Sequence, residues 1–275
     1  MITIEKMSSL ANIRLGFKMK LLEGGNIWDD VVTGFDPGKV AKPLEAETQK
    51  YLKDVGVPVH VVGSGYKPRL DAQGQPVPSN DLDVMIDLPI AMKHFGTTDS
   101  STTRKALAAH LNQKNIQTKL AGVTVHCRIP LDSDFYQVDI KVVNKAETVS
   151  AFHRHDIPQG SPYKGVNKQM MLNTLASSQN MLWSPDEGLY ARDANGKKAN
   201  FLSDNLDEIA RYLLGKQASG SDLGSVESIL AAIPDEVRRN DILSKAKASS
   251  SWQAATPTVQ EGTREWFRFL IDHIL

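Results

Sequence analysis

Cysteine is nearly missing: Cys127 is the only one in 275 residues, which excludes an internal disulfide and a cysteine-rich zinc site. No run approaches the ~20 uninterrupted apolar residues of a membrane-spanning helix, so no membrane partner is expected. Excess charge of either sign is also absent. Thirty-two basic side chains balance thirty-two acidic ones, which argues against a protein that is basic all over and coats nucleic acid. The start, Met1-Ile2-Thr3-Ile4-Glu5-Lys6, lacks a charged opening followed by an apolar core. A secretory leader is therefore not expected, and a reducing cytoplasm is the expected compartment. Internal repeats and long low-complexity tracts are lacking too. What remains is an ordinary globular composition, 41% hydrophobic and 23% charged, with length for one large domain or two modest ones.

Charge is unevenly spread along the chain. Residues 100–131 hold Arg104, Lys105, Lys114, Lys119 and Arg128 with no acid. In 141–171, Lys141, Lys145, Arg154, Lys164 and Lys168 face only Glu147 and Asp156. A basic central third suits phosphate binding as readily as it suits an ordinary lysine-rich surface.

The periodicities divide the chain into helical ends and a strand-rich middle. Leu10, Ile13, Phe17 and Leu21 recur at helical spacing, and a second helix is read over Pro43 to Asp54. Val57 to Val62 is a short β-branched run that stops at glycine, and Lys67 to Ser79 is a polar loop. Asp81 to Leu88 alternates, with Asp81, Asp83, Met85 and Asp87 on one face and Leu82, Val84, Ile86 and Leu88 on the other. Asp99 is placed to cap a helix running through Gln113. Gly122 to Leu131 and Tyr136 to Val143 read as an antiparallel hairpin turning at Asp132-Ser133-Asp134. Beyond Ala146 the pattern is helical and loop-rich, with connections at 215–224 and 246–257 and a closing helix burying Trp266, Phe269, Leu270 and Ile274. The expected division is a helical segment 1–55, a core 56–215 and a helical region 216–275.

Three features in the core carry chemistry. Asp81 and Asp83, at i and i+2 of one strand, point to the same face and can share a pair of metal ions; Asp139, on the strand Val138 to Val143, supplies a third carboxylate. Phosphoryl transfer from a triphosphate commonly uses two Mg²⁺ ions roughly 3.5–4 Å apart, held by hard carboxylate oxygens. Gly63-Ser64-Gly65 follows a strand directly, where glycines let the backbone approach phosphate and the Ser64 hydroxyl can donate to its oxygens. Lys67 and Arg69 are candidate phosphate ligands in the loop that follows. Trp183 and Tyr190 read as core, His153-Arg154-His155 as surface, Asp87 as solvated or supporting, and Cys127 as inert on an apolar face.

Gly63-Ser64 with Asp81-Leu82-Asp83 and Val138-Asp139-Ile140 resembles the nucleotidyltransferase superfamily of DNA polymerase β. The likeness extends to Gly160-Ser161-Pro162-Tyr163-Lys164-Gly165-Val166-Asn167, which is similar to the nucleotide-pocket stretch of family X polymerases. The resemblance implies an α+β fold, a twisted mixed or antiparallel sheet flanked by helices, with a mainly helical C-terminal region. It implies two Mg²⁺ or Mn²⁺ ions on Asp81, Asp83 and Asp139, and a nucleoside triphosphate held by Gly63, Ser64 and Gly65. It places Asn167 against the incoming base or sugar, and Ser161 or Tyr163 beside the sugar. Met171 stands where a family X polymerase carries a template-facing arginine, which favours nucleotidyl transfer over templated repair synthesis. The acceptor is first an RNA or DNA 3′ end, with a protein hydroxyl or a second nucleotide as alternatives. A nucleotide-binding module without turnover is the rival outside enzymes.

Overall fold

The structure, a computed structural model, describes residues 27–154 and 156–255. The helix read around Leu10 to Leu21, the closing helix after Val259 and His155 lie outside the described residues.

The sheet that organises the first half is mixed. Its strands are β1 (His60–Val61), β2 (Asp81–Asp87), β3 (Gln117–Ala121), β4 (Thr124–Leu131) and β5 (Asp134–Val143), in the spatial order β1-β2-β5-β4-β3. Only the β2–β5 pair is parallel. Alternation along the strands gives the sheet two unlike faces. Leu82, Val84 and Ile86, Val138, Ile140 and Val142, and Val125, Cys127 and Ile129 bury one face beneath the helices Pro37–Tyr51 and Ser100–Gln113. Burial also holds the Cys127 thiol far above its usual range, so it stays protonated. Asp36 and Asp99 accept the free N–H groups that open these two helices. The opposite face carries Asp81, Asp83, Asp139 and their neighbours.

That polar face turns apolar at one end. Met85, Val62, Val143, Ala146 and Val149 form a small cluster where the helix Ala146–His153 crosses it. Asp87 closes the same corner: its carboxylate accepts from the N–H groups of Ile90 and Ala146. Asp87 therefore caps a helix and ties it to the next.

A second core belongs to the C-terminal half. The helix Gly165–Ser178 is buried around Met171, Leu172, Leu175 and Ala176, beneath the helices Leu206–Leu214, Val226–Ala231 and Glu236–Lys247. Against it lies an antiparallel sheet of β6 (Met181–Ser184), β7 (Gly188–Arg192) and β8 (Lys198–Ser203), which the helical reading of this region lacks. Trp183 is buried in this core, edge-on to Phe152. Within the segments read as loose connections, Gly220–Leu223 is a 3₁₀ turn with Leu223 buried, and Ser250–Ala255 is helical. The expected α+β class, a mixed sheet flanked by helices, is what the molecule has.

Candidate active site

Register sets the rows of the polar face. Asp83 stands opposite Asp139 across the parallel pair, and Asp139 stands opposite His126 on β4. Asp81 is opposite Gln137, and Met85 opposite Lys141. The three acids expected from the sequence therefore share one face and two adjacent strands.

Their partners were not among the candidates. His126 Nδ1 lies 2.8 Å from Asp139 Oδ1, and Gln137 donates to the same oxygen at 3.0 Å. Asp139 is thereby fixed in orientation while its second oxygen keeps no such partner among the described residues. Lys141 Nζ is 3.2 Å from Asp83 Oδ1. Burial works against the Lys141 ammonium, yet the charge of Asp83, with Asp139 and Asp186, holds it above its usual range. Alternation alone puts Gln137 and Lys141 on the Asp139 face; only the register reveals His126.

Burial, then the charges of Asp83 and Asp139, push the Asp81 carboxyl up to about 7. A carboxyl whose folded value exceeds its ordinary 3.8 stabilises the fold fully below that ordinary value. The contribution is lost as pH rises through about 7, because the unfolded chain gives up its proton first. Melting of the metal-free protein is therefore expected to drop from about pH 4 to pH 7 and then level, by up to roughly 4 kcal/mol. Asp81→Asn should flatten that segment; an unchanged slope in the variant would assign it to other groups.

The Gly63-Ser64-Gly65 segment lies in a single helical turn, Gly63–Tyr66, rather than an irregular loop. Its two glycines have different reasons. Gly63 has φ +61°, the left-handed region, and a Cβ there would sit 3.5 Å from Asp83 Oδ2. Gly65 is required by space: a Cβ would lie 2.3 Å from Leu82 Cδ1 and 2.8 Å from Val61 Cγ1. The turn thus rests directly on the sheet. Ser64 Oγ is 3.3 Å from Ser79 Oγ, which donates to the Asp81 carbonyl, so the turn is tied to the acidic strand.

Beside this turn opens a cavity of about 400 Å³. Gly63, Ser64, Lys67, Arg69 and Asp83 line one side; Ile157, Lys164, Gly165 and Val166 line the other. The start of the helix Gly165–Ser178 therefore faces Asp83 across a space bordered by three cations. The sequence assigns Lys164 no role of its own within the basic third or the stretch 160–167, and the cavity makes it a candidate ligand.

The rest of the nucleotide-pocket stretch turns inward. Ser161 is buried, bonded through its hydroxyl to Glu227, while its carbonyl accepts from Arg69 at 2.8 Å. Tyr163 packs edge-on to Trp252. Asn167 is 1% exposed, and its Oδ1 accepts the Lys164 N–H at 2.6 Å. Lys168 donates to the carbonyls of Phe152 and Arg154, and burial lowers it to about 8. The structure brings Gly63, Ser64, Lys67, Arg69 and Asp83 to one cavity; Gly65, Asp81, Asp139, Ser161, Tyr163 and Asn167 are not on its wall.

Among the described residues no group of three or more His, Cys, Asp or Glu side chains is gathered as a metal cluster. The donor chemistry nonetheless fits a hard divalent ion. Three carboxylates face one side of the sheet, and burial with the charges of Asp83 and Asp139 raises the Asp81 carboxyl, a cost that a bound cation would relieve. An ion using Asp83 Oδ1 would have to displace Lys141. No helix among the described residues is long and apolar enough to cross a membrane.

No family model and no curated protein matches the chain. Among solved structures, it is similar to a cytoplasmic RNA terminal U-transferase at 16% identity, with a TM-score of 0.24 over 51% of this chain and 38% of that one. It is also similar to Cid1, described for its RNA terminal uridylyl transferase activity, at 14% identity, with a TM-score of 0.25 over 50% of this chain and 47% of that one. Each match spans less than half of the solved structure's own length.

Proposed function

We propose that the chain is a metal-dependent nucleotidyltransferase of the polymerase β-like type. It moves a nucleotidyl group from a nucleoside triphosphate to an acceptor hydroxyl and releases pyrophosphate. One observation carries this reading: a single cavity joins the Ser64 turn, Lys67, Arg69, Lys164 and a helix start to Asp83 of the acidic face. Amide and hydroxyl donors with cations suit a triphosphate, and the Asp83 carboxylate on its wall, with Asp139 opposite it in register, suits the ions that accompany it.

Asp81, Asp83 and Asp139 would hold two Mg²⁺ or Mn²⁺ ions, which when bound neutralise phosphate charge and make the acceptor hydroxyl easier to ionise. The chain's own residues do the rest. Ser64, Lys67, Arg69 and Lys164 hold phosphate oxygens, and the rigid turn on Leu82 fixes where they sit. His126 and Gln137 orient Asp139 toward the acceptor. A nucleic-acid 3′ end is the acceptor class that the basic central third favours.

The test is transfer from an α-labelled triphosphate, with Mg²⁺ or Mn²⁺, to single-stranded RNA, DNA, protein and nucleotide acceptors. One pyrophosphate per nucleotidyl group added is expected, and Lys164→Ala should raise KM for the triphosphate about tenfold. No product with any acceptor would overturn the enzyme reading. The Lys141–Asp83 contact favours the second reading, a binding module without turnover. Its signature is metal-dependent triphosphate binding with no product.

A further inference from the structure

Tyr66 ends the turn that begins at Gly63 and precedes Lys67 of the cavity wall. It is 51% exposed. The guanidinium of Arg154, just beyond the helix Ala146–His153, stands over its ring, 4.4 Å from the centroid. Arg154 has no other side-chain partner among the described residues, and its Nε is shielded from water with no hydrogen bond. The acid two positions on, Asp156, is engaged by Lys67 instead.

An ordinary tether between two elements does not need this arrangement. A desolvated guanidinium donor without an acceptor is costly, and an aromatic ring left half in water gains little from burial. A ligand carrying both a flat π surface and anionic oxygens suits the pair: the ring stacks a base, and the terminal N–H groups of the guanidinium, which no described side chain accepts, donate to phosphate. Aromatic rings combined with arginine are the means by which proteins hold unpaired nucleotides without reading their sequence.

We propose that Tyr66 and Arg154 bind one nucleotide unit, a nucleobase with its phosphate, at the rim of the cavity. This rests on the reading of that cavity as a triphosphate seat. The unit comes either from the incoming triphosphate or from the end of the acceptor strand, and the experiment separates them.

The full chain and its Tyr66→Ala, Tyr66→Trp and Arg154→Lys variants are titrated with a nucleoside triphosphate, with inorganic tripolyphosphate, and with a labelled single-stranded oligonucleotide. Tyr66→Ala is expected to weaken one of the two nucleotide ligands about tenfold while leaving tripolyphosphate unchanged. Tyr66→Trp should restore it, and Arg154→Lys should retain less than half the affinity. A loss confined to the triphosphate assigns the unit to the substrate; a loss confined to the oligonucleotide assigns it to the acceptor. Unchanged binding of both, or an equal loss for tripolyphosphate, would overturn the proposal. Should tripolyphosphate fail to bind the unmodified chain, the cavity reading falls, and the oligonucleotide titration alone decides this one.

Discussion

Asp83→Asn is expected to lower nucleotidyl transfer by about 10³-fold or more while the protein stays folded. Asp83 is the carboxylate that both faces Asp139 in register and lines the cavity, so in the proposed reaction it would connect ion, triphosphate and acceptor. Its backbone carbonyl accepts from the Val62 N–H, a contact the substitution keeps. Asp139→Asn is the companion probe. An asparagine Oδ1 can still accept from His126 and Gln137, so the geometry survives and only the charge is lost. Single-turnover rates with matched melting curves check both. Either variant within tenfold of the unmodified rate would remove these residues from the chemistry.

Gly65→Val is expected to destabilise the fold by about 3 kcal/mol, and Gly65→Ala by roughly 1–3 kcal/mol. The methyl of alanine already meets Leu82 at 2.3 Å and Val61 at 2.8 Å, and both neighbours are buried. Neither can retreat into water, so the turn must lift from the sheet and carry Ser64 with it. Gly63→Ala meets only Asp83 Oδ2 at 3.5 Å, and its cost, about 1–2 kcal/mol, is that of a left-handed backbone. Denaturant midpoints rank the three variants. An unaffected Gly65→Ala would show that the turn does not rest on the sheet.

The acidic face was legible because alternation survives in a strand buried on one side. Asp81 to Asp87 puts its three acids opposite an apolar row, and Val138 to Val143 does the same for Asp139. The Asp99 cap and the hairpin were legible for a similarly local reason. Partners across strands were not: His126 meets Asp139 through register, which a single strand does not encode. The helix Gly165–Ser178 is surrounded by other elements, so no apolar stripe marks it, and Asn167 and Lys168 turn inward to satisfy backbone groups. The strands β6 to β8 are four to six residues long and lie between helices, too short for alternation to stand out. Gly65 was legible as a glycine in a turn after a strand; that it is needed for contact with Leu82 required the packed sheet.

The most direct test of the central claim is a crystal structure with a non-hydrolysable nucleoside triphosphate and Mn²⁺, the ions located by anomalous scattering. The account predicts phosphate oxygens on Ser64, Lys67, Arg69 and Lys164, manganese on Asp81, Asp83 and Asp139, and Lys141 moved off Asp83. Triphosphate bound away from the Gly63 turn, or manganese absent from the three carboxylates, would contradict it.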